Sequence, residues 1–178
     1  MQSKEKYNQN IIKLKESLGK TNLLALPKIT KITLSIGFAK VRDKKDIVAK
    51  IKENIADIAG QRAIITKSKK SIAGFKVRDG EEIGLKVTLR GDRMWQFLDK
   101  LINTALPQIR DFNGFSRSCV DKQGNVAIGI REHIIFPEIS YDDINITHGL
   151  SATITIKADN REEAIKYLEL INFPFERD

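Results

Sequence analysis

Residues 63–90 read AIITKSKKSIAGFKVRDGEEIGLKVTLR. In the last third of this stretch Ile83, Leu85, Val87 and Leu89 alternate without a break with Gly84, Lys86, Thr88 and Arg90. Successive side chains of a strand point to opposite faces, so this period of two turns the four apolar residues toward a core and leaves Lys86, Thr88 and Arg90 outside. The stretch opens on a shorter strand-like run, AIITK, which passes into Lys67, Lys69 and Lys70 and then into a Gly-containing segment. Two strands flanking such a segment predict an antiparallel pair with a long, projecting, basic hairpin loop.

On either side of the hairpin the periods switch between two and about 3.6. Before it, in KITKITLSIGF after Pro27, Ile32, Leu34 and Ile36 alternate with Thr33 and Ser35, which reads as a strand. From Asp43 to Ala59, Ile47, Val48, Ile51, Ile55 and Ile58 recur at three- and four-residue steps and Gly60 can stop the resulting helix. After the hairpin, Asp92 offers a cap to a helix carrying Met94, Trp95, Leu98, Leu101, Ile102, Ala105 and Leu106 on one side, until Pro107 interferes. NVAIGIRE and SATITIKA read as further strands. Asn160 with Glu163 three positions on resembles a capping box for a last helix through Ala164, Ile165, Leu168 and Ile171. The segment from Lys4 to about Leu18 spaces Ile11, Ile12, Leu14 and Leu18 as a first helix, stopped by Gly19. The expected fold is α+β: two layers, a largely antiparallel sheet with helices packed on one face, and the projecting basic loop. With 178 residues and no linker or repeat, a single domain over 1–178 is expected, with 1–25 as an N-terminal helical appendage.

Composition narrows the function. A hydrophobic fraction of 41% excludes disorder over most of the chain. Cys119 is the one cysteine, so no internal disulfide and no cysteine zinc site can form. No apolar run approaches the roughly 20 residues that span a bilayer, and the opening MQSKEKYNQN has no signal-peptide core, so a cytoplasmic protein without a membrane partner is expected. The net charge of +8 is unevenly placed: residues 1–93 hold 22 Lys and Arg against 10 Asp and Glu, and the remainder 9 against 13. A polyanion met by one face is the natural reading of such confinement.

Catalytic signals are thin. Cys119 with His133 or His148 as base is supported only by the presence of those residue types. Gly19-Lys20-Thr21 imitates the end of a phosphate loop, but the glycine required at position 14 is Leu. Glu138, Asp142 and Asp143 lack the further ligands of a metal site. No catalytic residue, metal or cofactor is therefore expected, and a small cysteine-dependent enzyme stands as a minor alternative. So does a protein-only scaffold meeting an acidic partner.

The cations at 62, 67, 69, 70, 76 and 78 lie within 17 residues and include among them one aromatic residue, Phe75. Single-strand binders lean on several stacking rings, whereas a Lys/Arg loop with hydroxyls and amides suits the backbone and grooves of folded RNA. The string GQRAIITKSKKSIAGFKVRDGEEIGLKVTLRGDRMWQFLDKLI, with PQIRDFNGF, IIFPEISYDD and the ending NFPF, closely resembles the bacterial-type ribosomal protein five family of the large subunit, the 5S rRNA binders. The resemblance covers nearly the whole chain and is weakest over the first 25 residues or so.

The resemblance implies a structural protein of the ribosome, cytoplasmic or in an organellar ribosome, that joins 5S rRNA to the large-subunit rRNA in the central protuberance. It puts the polar 5S contacts on Ser35, Gln61 and Thr88, with Lys67, Lys69, Lys70 and Arg90 neutralising phosphate around them. It puts the peptidyl-site tRNA on the loop from Ile72 to Gly84, through Lys76 and Arg78. Loops near 110–116 and 137–145, with Asp111, Glu138, Asp142 and Asp143, are implied to face a basic small-subunit ribosomal protein at the intersubunit bridge, other large-subunit proteins being further neighbours. The family pattern LNMG reads LSIG here, so Ser35 offers a donor and an acceptor on a shorter reach than the usual Asn. Ala63 replaces a frequent Pro, which changes the stiffness of that turn more than its chemistry.

Overall fold

The computed structural model describes residues 2–39, 41, 43–139 and 147–176. In chain order its elements are α1 (Gln2–Leu18), β1 (Lys28–Gly37), α2 (Lys45–Ala59), β2 (Ile64–Lys67), β3 (Glu82–Leu89), α3 (Gly91–Lys100), β4 (Val126–Ile130), β5 (Leu150–Lys157) and α4 (Arg161–Leu170). The strands form one five-stranded sheet in the order β2-β3-β1-β5-β4, and the fold is α+β as expected. The chain divides into two compact units, one of Met1–Ile32, Arg90–Ile128 and Thr153–Asp178, the other of Thr33–Leu89 and Gly129–Ala152.

In the first unit α1 packs against α3 and α4. Leu14 is buried in that packing, and Tyr7 lies stacked over Trp95 (6.3 Å between ring centroids) and edge-on to the buried Tyr167 (5.5 Å). Asp92 sits in the first turn of α3, whose N-cap is Arg90 with no side-chain cap, and its carboxylate instead accepts from Lys4 Nζ at 2.7 Å. The helix expected through Leu106 changes character: Leu101–Ala105 is a π-helical turn and Leu106–Gln108 a 3₁₀ turn. Pro107 has no N–H to donate, so the regular ladder loosens before reaching it.

The capping box is also rewired. Asn160 occupies the N-cap of α4 but makes no side-chain cap bond. Glu163 Oε2 accepts from Lys20 Nζ at 2.7 Å, and the same ammonium reaches Asp159 Oδ2 at 2.7 Å and Ala25 O at 3.1 Å. These bonds to Asp159 and Glu163 raise the Lys20 pKa, and the one from Lys20 lowers that of Asp159. Gly19, left-handed at φ 63°, turns the chain at the end of α1 so that Lys20 can arrive there. Ahead of β4, Asp121 closes a tight turn: its carboxylate accepts from the N–H groups of Gln123 and Asn125 and from Asn125 Nδ2 at 2.7–2.9 Å. Slight burial opposes the charge there, but those bonds prevail and hold the carboxyl below its usual range.

In the second unit α2 turns Val48, Ile51, Ile55 and Ile58 inward and lies against β3. Leu34, Ile36, Leu85, Val87 and Leu89 supply the sheet's share of that core, as the alternation predicted. His133, wholly buried, has each ring nitrogen engaged: Nε2 lies 3.2 Å from Asn54 Nδ2, and Nδ1 accepts from the His148 N–H at 3.4 Å. The two imidazoles stack at 3.8 Å.

Candidate nucleic-acid interface

β2 and β3 pair antiparallel, with Ile64 opposite Lys86, Ile65 opposite Leu85, Thr66 opposite Gly84, and, past an irregularity, Lys67 opposite Glu82. Residues directly opposite one another share a face. Ile64, Thr66 and Lys86 therefore lie on the side away from the buried Leu85, Val87 and Leu89, and Thr88 joins them by alternation. β1 comes in close at Gly84, where an added Cβ would lie 2.7 Å from Ile36 O and 2.9 Å from Thr66 Oγ1. Only a missing side chain permits that approach. The Phe38 N–H donates to Ile83 O at 3.0 Å in the same region. Ser35, between the buried Leu34 and Ile36, is exposed.

Gly60 ends α2 in a left-handed conformation at φ 62°. The chain reverses there and Gln61 Nε2 comes to lie 3.4 Å from the Thr88 carbonyl, to which it donates. Two of the three residues implied in 5S contact, Gln61 in the turn after α2 and Thr88 on β3, are thus held together, both half-buried, with the exposed Ser35 in the same unit.

The loop beyond β2 is an irregular hairpin held across its stem. The Ser68 N–H donates to Glu81 O (2.8 Å), the Gly80 N–H to Ser68 O (3.0 Å), and Ile72 and Val77 exchange both backbone bonds (2.8 and 3.2 Å). A 3₁₀ turn, Ala73–Phe75, forms the tip, and Lys76 follows it in the left-handed region at φ 52°. Lys67, Lys69, Lys70, Lys76 and Arg78 are all exposed along this one hairpin. Arg90 is exposed directly after β3, at the N-cap of α3 and in the first unit. Asp111, exposed with φ 57°, belongs to the first unit and the exposed Glu138 to the second; Asp142 and Asp143 lie outside the described residues.

Sequence reasoning passed over Thr66 as a site residue, although its register opposite Gly84 sets it on the Lys86 face. The signal was faint, a single β-branched hydroxyl in a four-residue strand. Among the described residues no cluster of His, Cys, Asp and Glu could hold a metal ion, and no helix is long and apolar enough to cross a membrane. Burial pushes the Cys119 thiol up, away from the thiolate a nucleophile requires.

Residues 22–78 match the family model described as ribosomal protein L5, and residues 82–175 match the model of that ribosomal family's C-terminus. The chain belongs to the ribosomal protein L5 family. The large ribosomal subunit protein uL5 of Helicobacter pylori (strain HPAG1) is 48% identical over 168 residues, covering 94% of this chain and 93% of that one. Its counterpart in Francisella tularensis subsp. novicida (strain U112) is 47% identical over 173 residues, covering 97% of each. L5 proteins are structural components of the large ribosomal subunit and not enzymes, so this chain has its place in the ribosome, a cytoplasmic particle, and the cysteine-enzyme reading falls.

Proposed function

We propose that the chain, as one RNA-binding domain, binds 5S rRNA and attaches it to large-subunit rRNA in the central protuberance. Ser35, Gln61 and Thr88 address 2′-hydroxyls and base edges, while Lys67, Lys69, Lys70 and Arg90 neutralise the surrounding phosphates. Lys76 and Arg78, near the hairpin tip, contact peptidyl-site tRNA without reading its sequence. Asp111, Glu138, Asp142 and Asp143 face a basic small-subunit protein.

The observation that supports the 5S reading best is the Gln61 carboxamide tied to the Thr88 carbonyl in the unit that also exposes Ser35 and carries the basic hairpin. Small hydrogen-bonding groups at fixed positions, ringed by cations, suit a shallow groove of folded RNA.

Replacing Gln61 by Ala tests the division of labour. A lost neutral hydrogen bond releases no counterion, so 5S rRNA affinity should fall about five- to tenfold with the salt dependence unchanged. An unaltered affinity would remove Gln61 from the interface. Ribonuclease treatment of the assembled particle separates the scaffold reading: an association that survives digestion is carried by protein alone.

A further inference from the structure

We propose that the pocket running along the β2–β3 hairpin from its stem to its tip receives one unpaired nucleobase of a folded RNA, stacked against Phe75. The inference rests on the RNA-binding reading and adds to it a site for a base, where the cations account only for phosphate. The pocket measures about 410 Å³ and is lined by Ala39, Ser68, Ile72, Phe75, Val77 and Ile83. Phe75 is 77% exposed and Ile72 48% exposed, yet neither sits on slack chain. The Phe75 N–H donates to Ile72 O at 3.2 Å, and Ile72 is paired in both directions with Val77, itself buried. The backbone thus holds an aromatic side chain at the solvent boundary of an apolar recess.

Charge selects the occupant. Residues 67–80 carry five Lys and Arg against one Asp, with Lys69, Lys70 and Arg78 exposed. A planar, largely apolar group attached to a phosphate chain satisfies both features, whereas an apolar peptide would bring nothing to meet the cations. A single ring matches a single splayed base rather than a single-stranded run.

The test uses the full chain and two RNA hairpins, one carrying a single bulged 2-aminopurine and one fully paired but otherwise identical. The bulged hairpin should bind about tenfold more tightly, with its fluorescence quenched on binding. Phe75→Ala should abolish that preference and the quenching and leave the paired hairpin within about twofold, and Phe75→Trp should restore both. Phe75→Leu, apolar without a ring, should fail to restore quenching. Equal affinity of the unaltered protein for the two hairpins would overturn the pocket while leaving RNA binding intact. Binding to neither would overturn both. Retention of preference and quenching in Phe75→Ala would place the base elsewhere and equally overturn it, as would an apolar peptide displacing nothing but shifting the Ile72 and Ile83 methyl signals.

Discussion

Reversing Lys67, Lys69 and Lys70 to Glu in one chain should lower 5S rRNA affinity at physiological salt by roughly a hundredfold or more. All three side chains are exposed on the hairpin, so what they lose is contact with the polyanion and not core packing. Each phosphate contact removed also removes a released counterion, so the logarithmic salt slope should flatten by about two to three. One side effect has a known size. Lys67 pairs across the ladder with Glu82, and a Glu there sets like charges opposite each other. That destabilises by about 0.2–1 kcal/mol, too little to unfold the chain. The Lys69→Glu, Lys70→Glu double variant avoids it and should keep most of the affinity loss. Filter binding at several salt concentrations, with a melting curve of each variant, checks the result; unchanged affinity would take this segment out of the interface.

The second large effect is on stability. Gly114→Ala should destabilise the protein by at least about 3 kcal/mol, a fall in Tm of roughly 10 °C for a chain of this size. At φ 102° the residue is where L side chains are strained, and its Cβ would lie 2.6 Å from Glu176 N and 2.7 Å from the Phe175 carbonyl. Those obstacles are backbone, held in place because the Phe115 N–H donates to Pro174 O (2.9 Å) and the Glu176 N–H to Phe115 O (3.0 Å). The rings follow the same joint: Phe115 stacks on Phe173 at 5.6 Å and Phe112 meets Phe115 edge-on at 5.3 Å. Thermal denaturation followed by circular dichroism decides it. Asn113→Ala, an exposed neighbour, should change Tm by no more than a degree or two, and a Gly114→Ala protein melting with the parent would show that the joint yields.

That joint marks where sequence reading stops. The strand through Ile83, Leu85, Val87 and Leu89 was legible because alternation is a local property, and the ends of α1 and α2 were legible because Gly19 and Gly60 each turn left-handed. PQIRDFNGF and NFPF were visible as motifs, but no period in either reveals that Phe115 pairs with Phe175 sixty residues on. Lys20 likewise entered the sequence reading only in the failed phosphate-loop match Gly19-Lys20-Thr21, and only folding brings it to Glu163 in place of the expected capping box. At the candidate interface the basic run was plain in the sequence. The donation from Gln61 to the Thr88 carbonyl was not, since it depends on how the chain reverses at Gly60 and which strand then lies alongside.

The proposed function has the cations of the hairpin and the polar groups beside it grip folded RNA, and the affinity of the purified chain for 5S rRNA across a salt series tests this most directly. The logarithm of the association constant should fall linearly with the logarithm of salt, with a slope of about −3 to −6 for the cations named here. An affinity that stays level from low to physiological salt would contradict it.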